Sequence, residues 1–295
     1  MTTVVYQSFR TENVPSWISA SMETVWTWAQ HCGFDYRFWD DQFFDLVPAD
    51  ARPRASVHKC LLTDYARLVA ARKLLAEGYD RAIWIDADAV VFDPEKFTID
   101  ITTGHAFCRE VWLDRVCWGI PQFQLTVNNS VCVFCRDETF SAPYLASAHE
   151  ILTGSTPLTP FSIGTQWLLE HYLRAEFPLL TNVGIFNPEM ARHYLADDGA
   201  FLRPYLRFQT SPVYAINLCY SKSAHDIAVG WRPEPDTAQK VVDRLLSDQG
   251  GSLNRWYKSG AKQFKGKFGR PASRLLAIRM ALKRLTGCTR PPARQ

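Results

Sequence analysis

Apolar positions along the chain follow two rhythms: short continuous runs, and longer stretches in which they recur every three or four residues. The runs at 4–9, 36–39, 81–86, 105–110, 130–135 and 213–218 predict strands, and the stretches at 15–31, 57–77, 142–152, 164–174 and 237–247 predict helices. The stretch from Val57 is the longest, with Leu61, Leu62, Tyr65, Leu68, Val69 and Leu75 at helical spacing and Gly78 placed as a stop. At 81–86 the run Ala-Ile-Trp-Ile is apolar at consecutive positions, as a strand buried on both faces requires. Alternation of strand and helix implies an α/β fold with a mainly parallel sheet flanked by helices. No internal repeat or low-complexity linker interrupts the pattern before residue 248.

Charge divides the chain where the pattern does not. The whole carries 33 Lys+Arg against 30 Asp+Glu, a formal net of +3. No acid follows Asp248, yet residues 252–295 hold 12 of the bases, which leaves 21 bases against 30 acids elsewhere. An acidic body spanning 1–250 is thus expected to precede a basic tail, 251–295. That split excludes a chain basic all over, as a general nucleic-acid coat would be. With 47% apolar residues, general disorder is excluded too. No stretch has the ~18 uncharged apolar residues of a membrane span, and the N-terminus lacks the basic and apolar regions of a signal peptide. The eight cysteines are scattered, which fits reduced thiols in a cytosol better than a disulfide framework. Cys132 and Cys135 form a C-x-x-C inside an apolar run without a second pair, and read as buried strand cysteines.

The candidate chemistry begins where acids interrupt that apolar strand, in Ile85-Asp86-Ala87-Asp88-Ala89-Val90-Val91. Open α/β sheets place ligands at the carboxyl ends of their strands. Strand alternation would aim Asp86 and Asp88 at one point, and two close carboxylates need a cation or a proton between them. Mg²⁺ or Mn²⁺ shared with a substrate's phosphates meets that need. Upstream, Lys59, Thr63 and Arg67 stand on one helix face with Asp64 beside it. That helix offers cations for a diphosphate and a carboxylate for hydroxyls; a surface ion pair between Asp64 and Arg67 is the simpler alternative.

Taken together, Thr63-Asp64-Tyr65-Ala66-Arg67 followed by the Asp-x-Asp strand resembles the glycosyltransferases with a DXD-containing sugar-binding region. These are GT-A-fold enzymes of the capsular-polysaccharide and mannosyltransferase type. Tyr6-Gln7-Ser8-Phe9 and Phe38-Trp39-Asp40-Asp41 resemble that family's opening, so the resemblance runs over residues 3–95. It implies a Rossmann-like, GT-A-type mixed sheet. It also implies a metal-dependent hexosyltransferase taking a UDP- or GDP-sugar to a glycan or lipid-linked acceptor, generally with retention, in surface polysaccharide or glycolipid synthesis. Asp88 would bind the metal directly, Asp86 would touch ribose or metal, and Gln7 would sit by the nucleotide. Asp64 and Arg67 would line the donor pocket. Asn128, Asn129 and Gln166 resemble sugar and acceptor contacts. Related folds often supply a His as third metal ligand after the last strand; here Asn217 holds that place, with His225 further on and Lys222 as a candidate diphosphate contact.

Two other readings stay open. Asp86-x-Asp88-x-Val90 also fits the haloacid-dehalogenase-type phosphatases, with Asp86 as nucleophile, although those place the motif on a first strand. A non-catalytic nucleotide-sugar or glycan binding module is the other. No residue declares itself a general base, Glu110 being one candidate by position. No P-loop, Gly-x-Gly-x-x-Gly or Gly-x-Ser-x-Gly occurs, which removes support from kinase, dehydrogenase and serine-hydrolase readings.

In the tail, a helix is expected over 272–286, with Leu275, Ile278, Leu282 and Leu285 as an apolar stripe between Pro271 and Gly287. Trp256, Tyr257, Phe264 and Phe268 alternate with bases upstream of it. Aromatics among clustered cations suit an anionic membrane surface, at the cytoplasmic inner face. Docking on the acidic body, nucleic-acid binding and disorder are the alternatives.

Overall fold

A computed structural model describes residues 1–219, 236–257 and Phe268. The chain opens with β1 (Thr3–Ser8), α1 (Ser16–His31), β2 (Asp35–Trp39), a 3₁₀ turn (Asp41–Leu46), α2 (Arg52–Ala55), α3 (Lys59–Ala76), β3 (Arg81–Ile85) and β4 (Ala89–Val91). It continues through β5 (His105–Cys117), β6 (Ile120–Cys135), α4 (Ser141–Thr153), α5 (Thr165–Tyr172), β7 (Leu179–Leu180) and β8 (Val183–Ile185). Then follow α6 (Pro188–Leu195), α7 (Gly199–Gln209), β9 (Ala215–Asn217), α8 (Thr237–Ser247) and α9 (Gly251–Asn254).

The central sheet has six strands in the order β2-β1-β3-β6-β5-β7. β1 pairs in parallel with β2 and β3, and β5 with β7; β6 runs antiparallel to β3 and β5. It is the expected α/β architecture, a mixed and mainly parallel sheet with helices on its faces. Alternation along β1 and β3 explains the layering. Val4, Tyr6, Ala82 and Trp84 pack under α3, α4 and α5 on one face, while Val5, Ile83 and Ile85 pack under α1 on the other. Both faces are covered, which is why these strands read as unbroken apolar runs.

Two features lie outside the sequence expectation. β5 and β6 extend well past 110 and 130 and form one long hairpin, closed by Trp118 and Gly119, both at positive φ. A second, three-stranded sheet, β4-β9-β8, carries α6, α7 and α8 over its own core of Val90, Phe186, Tyr205, Ile216 and Val242. The packed body also runs past residue 250. Leu253 is fully buried, and Asn254 exchanges hydrogen bonds with the Val213 backbone, 3.0 Å to Oδ1 and 2.7 Å from Nδ2. The expected tail helix, Lys222 and His225 lie outside the described residues. Among the described residues no helix is long and apolar enough to cross a membrane.

Candidate functional site

β3 ends at Ile85, so Asp86, Ala87 and Asp88 form a turn into β4 rather than a strand end, closed by Ala89 N–H to the Asp86 carbonyl at 3.0 Å. This corrects the expectation that strand alternation aims both acids at one point. Each carboxylate instead has its own support. Asp86 Oδ1 accepts the Trp84 indole N–H at 2.6 Å and lies 3.3 Å from Arg67 Nη1. Asp88 Oδ1 accepts the Asn217 amide at 2.6 Å, across the β4–β9 pairing.

Arg67 is the hub on the α3 side. Its guanidinium is buried, 3.0 Å from Asp64 Oδ1, stacked 4.9 Å over the Trp84 ring, and bonded to the Asn129 carbonyl. Asn129 Nδ2 donates to Asp64 at 2.9 Å. The Asp64–Arg67 pair is therefore the i,i+3 ion pair of the simpler reading, turned inward instead of lying on the surface. Burial pushes the Asp64 carboxyl up to about 6, opposed by Arg67 and Asn129. Burial also raises Asp86, opposed by Arg67 and the Trp84 indole. Burial disfavours charge on Arg67, but Asp86 and Asp64 more than offset it and keep the guanidinium protonated.

Gln7 is fully buried beneath the turn. Its Nε2 donates to the Asp86 carbonyl at 3.1 Å, and its Oε1 accepts from Tyr36 Oη at 2.9 Å. Both ends of the amide are engaged by protein, so Gln7 fixes the turn from below rather than facing a nucleotide.

A cavity of about 400 Å³ opens over this turn, at the carboxyl ends of β1 and β3. Asp86, Asp88 and Asp41 line it with Arg10, Lys59 and Arg67, and Phe9, Trp17 and Phe44 supply apolar faces. Lys59, Cys60, Thr63 and Arg67 all reach it, which confirms the shared helix face. Lys59 is held 3.6 Å from Asp41 and 4.9 Å from the Phe44 ring centre. Cys60 is exposed on the cavity wall, with its thiol donating to the Pro160 carbonyl at 3.4 Å.

Asp64, Asn129 and Gln166 are not on the cavity wall. Asp64 and Asn129 stand behind Arg67, and Gln166 is the second residue of α5, whose N-cap Gly164 has its Cα facing them. Asn217 turns its amide nitrogen to Asp88 and its Oδ1 to the Cys219 N–H at 3.0 Å, which makes it a support for Asp88 in this arrangement. Glu110 is buried apart from the cavity, accepting from Asn128 Nδ2 at 2.8 Å, and burial pushes it up to about 7. Cys132 and Cys135 are buried on opposite faces of the sheet, in line with the strand reading. Arg10, Phe9, Trp17 and Phe44 were not legible as site residues; they become so only because β1, α1 and the 3₁₀ turn converge on one opening.

Among the described residues no group of three or more His, Cys, Asp or Glu is arranged around one metal position. The donor chemistry still fits a hard divalent ion, which uses one or two carboxylates plus substrate phosphates. Both named contacts of Asp86 fall on Oδ1. Asp86 and Asp88, both on the cavity wall, are the carboxylates that would share such an ion with a substrate's phosphates.

No family model matches the chain, and no curated protein does. Among solved structures, it is similar to a glycosyltransferase involved in the glycosylation of the major capsid of PBCV-1. Identity is 11% and the TM-score 0.42, over 74% of this chain and 94% of that one. It is also similar to A197 from STIV, at 12% identity and a TM-score of 0.27, over 59% and 78% of the two chains. Neither likeness identifies the reaction.

Proposed function

We propose that this protein is a glycosyltransferase that moves a sugar from a UDP- or GDP-sugar to a glycan or lipid-linked acceptor, with Mn²⁺ or Mg²⁺ at the Asp86–Asp88 turn. The observation that carries the reading is one cavity uniting two adjacent carboxylates, three cations and three aromatic faces at the carboxyl ends of β1 and β3. Asp88 and Asp86 would hold the ion together with donor phosphate oxygens. A bound divalent ion supplies charge neutralisation to the departing nucleoside diphosphate. Arg67, Lys59 and Arg10 bring positive charge to the same leaving group, where pre-placed charge lowers the barrier most. Phe9, Trp17 and Phe44 offer flat surfaces for a base or sugar ring. Asn217 and Gln7 act as positioning residues, the first on the Asp88 side chain and the second on the Asp86 backbone.

The phosphatase alternative would use Asp86 through Oδ2, the oxygen that neither Trp84 nor Arg67 engages, and would lose phosphate release on Asp86→Asn. Calorimetric titration of UDP- and GDP-sugars, with and without Mn²⁺, tests the proposal on the wild type and on Asp88→Asn. Donor binding should require the metal and fall at least about tenfold in the variant, a loss of about 1.4 kcal/mol. Metal-independent binding, or none for any donor, would overturn the reading. Metal-linked binding without donor hydrolysis or transfer would leave a binding module instead.

A further inference from the structure

We propose, resting on the transferase reading of this cavity, that Asp41 and Lys59 together read the base of the donor. They select guanine, so that a GDP-sugar rather than a UDP-sugar is the substrate. α3 acts as a ruler along the cavity, with Lys59, Thr63 and Arg67 on its wall. At a rise of about 1.5 Å per residue, Lys59 and Arg67 stand about 12 Å apart along the helix axis. Arg67 marks the phosphate end, 3.3 Å from Asp86. Lys59 marks the other end, 3.6 Å from Asp41. With its phosphates at the Asp86–Asp88 turn, an extended nucleotide lying along α3 brings its base to Asp41 and Lys59. Trp17 closes the cavity from α1 and packs against the second core, where its ring suits the sugar.

The pair is open to a ligand. The Asp41 side chain is 64% exposed and that of Lys59 69%, and their separation exceeds a full hydrogen bond. An exposed pair of this kind contributes little to stability, so a base that engages both members displaces nothing costly. The cap of the 3₁₀ turn is made by the neighbouring Asp40, which accepts from the Gln42 N–H at 2.8 Å. Asp41 is thereby left to line the cavity. Phe44 fixes the place. Its ring centre lies 4.9 Å from Lys59 Nζ, and it packs on Phe43, whose ring stacks on Trp84, the residue that bonds Asp86. A flat base against Phe44 therefore has an apolar wall and a charged rim.

The rim matches one pairing edge best. Guanine presents O6, N1–H and the 2-amino group side by side. A lysine ammonium donates to O6, while one carboxylate accepts N1–H and N2–H together in a bidentate, charge-assisted pair. Uracil presents a single N–H between two carbonyls. Lys59 can take one carbonyl and Asp41 the N–H, but the second carboxylate oxygen then faces the other carbonyl. Adenine offers the pair one donor and one acceptor, a bond fewer than guanine. Charged groups left unpaired reject the wrong ligand more strongly than a difference in apolar bulk does. Lys59 thus meets the leaving group at its base, while Arg67 serves the phosphates.

Calorimetric titration of GDP, ADP and UDP into the full chain with Mn²⁺ tests the proposal. GDP should bind at least about tenfold tighter than either of the others. Asp41→Asn exchanges one acceptor oxygen for an amide donor, which suits the 2-carbonyl of xanthosine diphosphate instead of the 2-amino group of GDP. The ratio of xanthosine diphosphate to GDP affinity should therefore rise at least about tenfold in the variant. Its thermal midpoint should match wild type, since Asp41 is exposed, and a merely structural role would not exchange one base for another. ADP or UDP binding as tightly as GDP to wild type would overturn the proposal and leave the transferase reading standing. An unchanged ratio in Asp41→Asn would overturn it equally, because Asp41 would then not read the base. No binding of any of the three with Mn²⁺ would remove the transferase reading, and this proposal with it.

Discussion

The Arg67 guanidinium lies 3.3 Å from Asp86, so α3 reaches across to the turn after β3 and compensates the first carboxylate of the Asp-x-Asp pair. The same group compensates Asp64 at 3.0 Å. Replacing it with an apolar residue of similar length, Arg67→Met, leaves the buried Asp64 carboxylate and the partly buried Asp86 carboxylate without their cation. The expected loss is about 3–5 kcal/mol of folding stability, read from urea unfolding. The loss should be smaller near pH ~5, where those carboxyls can protonate, than above pH ~7. Equal losses at both pH values would argue against buried charge as the cause.

Asn217 holds Asp88 through a 2.6 Å hydrogen bond, and an acid there would set like charges together. Asn217→Asp is expected to cost about 1 kcal/mol or more without metal. Mn²⁺ should then raise its melting temperature by more than it raises that of wild type. A smaller metal-induced shift in the variant would place the ion elsewhere.

Glu110 gives the fold an uncommon pH dependence. Burial raises its carboxyl from an ordinary 4.5 to about 7, and Asp64 moves the same way, from 3.8 to about 6. Between the ordinary and raised values the native state keeps protons that the unfolded chain has released. Each step up in pH through that window therefore weakens the fold. Glu110→Gln keeps the shape and removes the proton, so it should flatten the decline and gain roughly 2–3 kcal/mol above pH ~7. Urea midpoints taken across pH ~4 to ~8 check this; a variant as steep as wild type would count against Glu110.

Gly164 is a packing requirement. A Cβ there would sit 2.8 Å from Asp64 Oδ2 and 3.2 Å from Asn129 Nδ2. Gly164→Ala should cost about 1–3 kcal/mol by displacing groups that hold Arg67. If the midpoint of urea unfolding does not move, α5 must shift freely and the Asp64–Asn129 contact is not a fixed part of the site.

Much of this was legible in the sequence, for identifiable reasons. β1, β3 and α3 are long runs of one rhythm, and acids at the end of an apolar strand mark its ligand end. The face shared by Lys59, Thr63 and Arg67 follows from helical periodicity alone. What the pattern could not carry was direction and closure. Spacing shows Asp64 and Arg67 as neighbours, but only the packing of α3 on Trp84 turns them inward. The long hairpin was hidden because Trp118-Gly119 lacks the Asn-Gly or Asp-Gly signature of such turns. Gln7 stood beside the nucleotide only as an implication of the resemblance in Tyr6-Gln7-Ser8-Phe9. Its bonds to Tyr36 and Asp86 depend on the pairing of β1 with β2 and β3.

That one amide ties the ends of three strands drawn from the first 86 residues. A slip of one residue in β1 would swing Gln7 to the opposite face and release the turn beneath the cavity. The cavity is therefore complete only when the parallel strands have found their register, a late and non-local step in folding. A ligand selective for the finished cavity would favour correctly registered chains over slipped ones. At a hundredfold excess over its Kd, that preference amounts to about 2.7 kcal/mol. Occupancy would thus act as proofreading of strand alignment during folding.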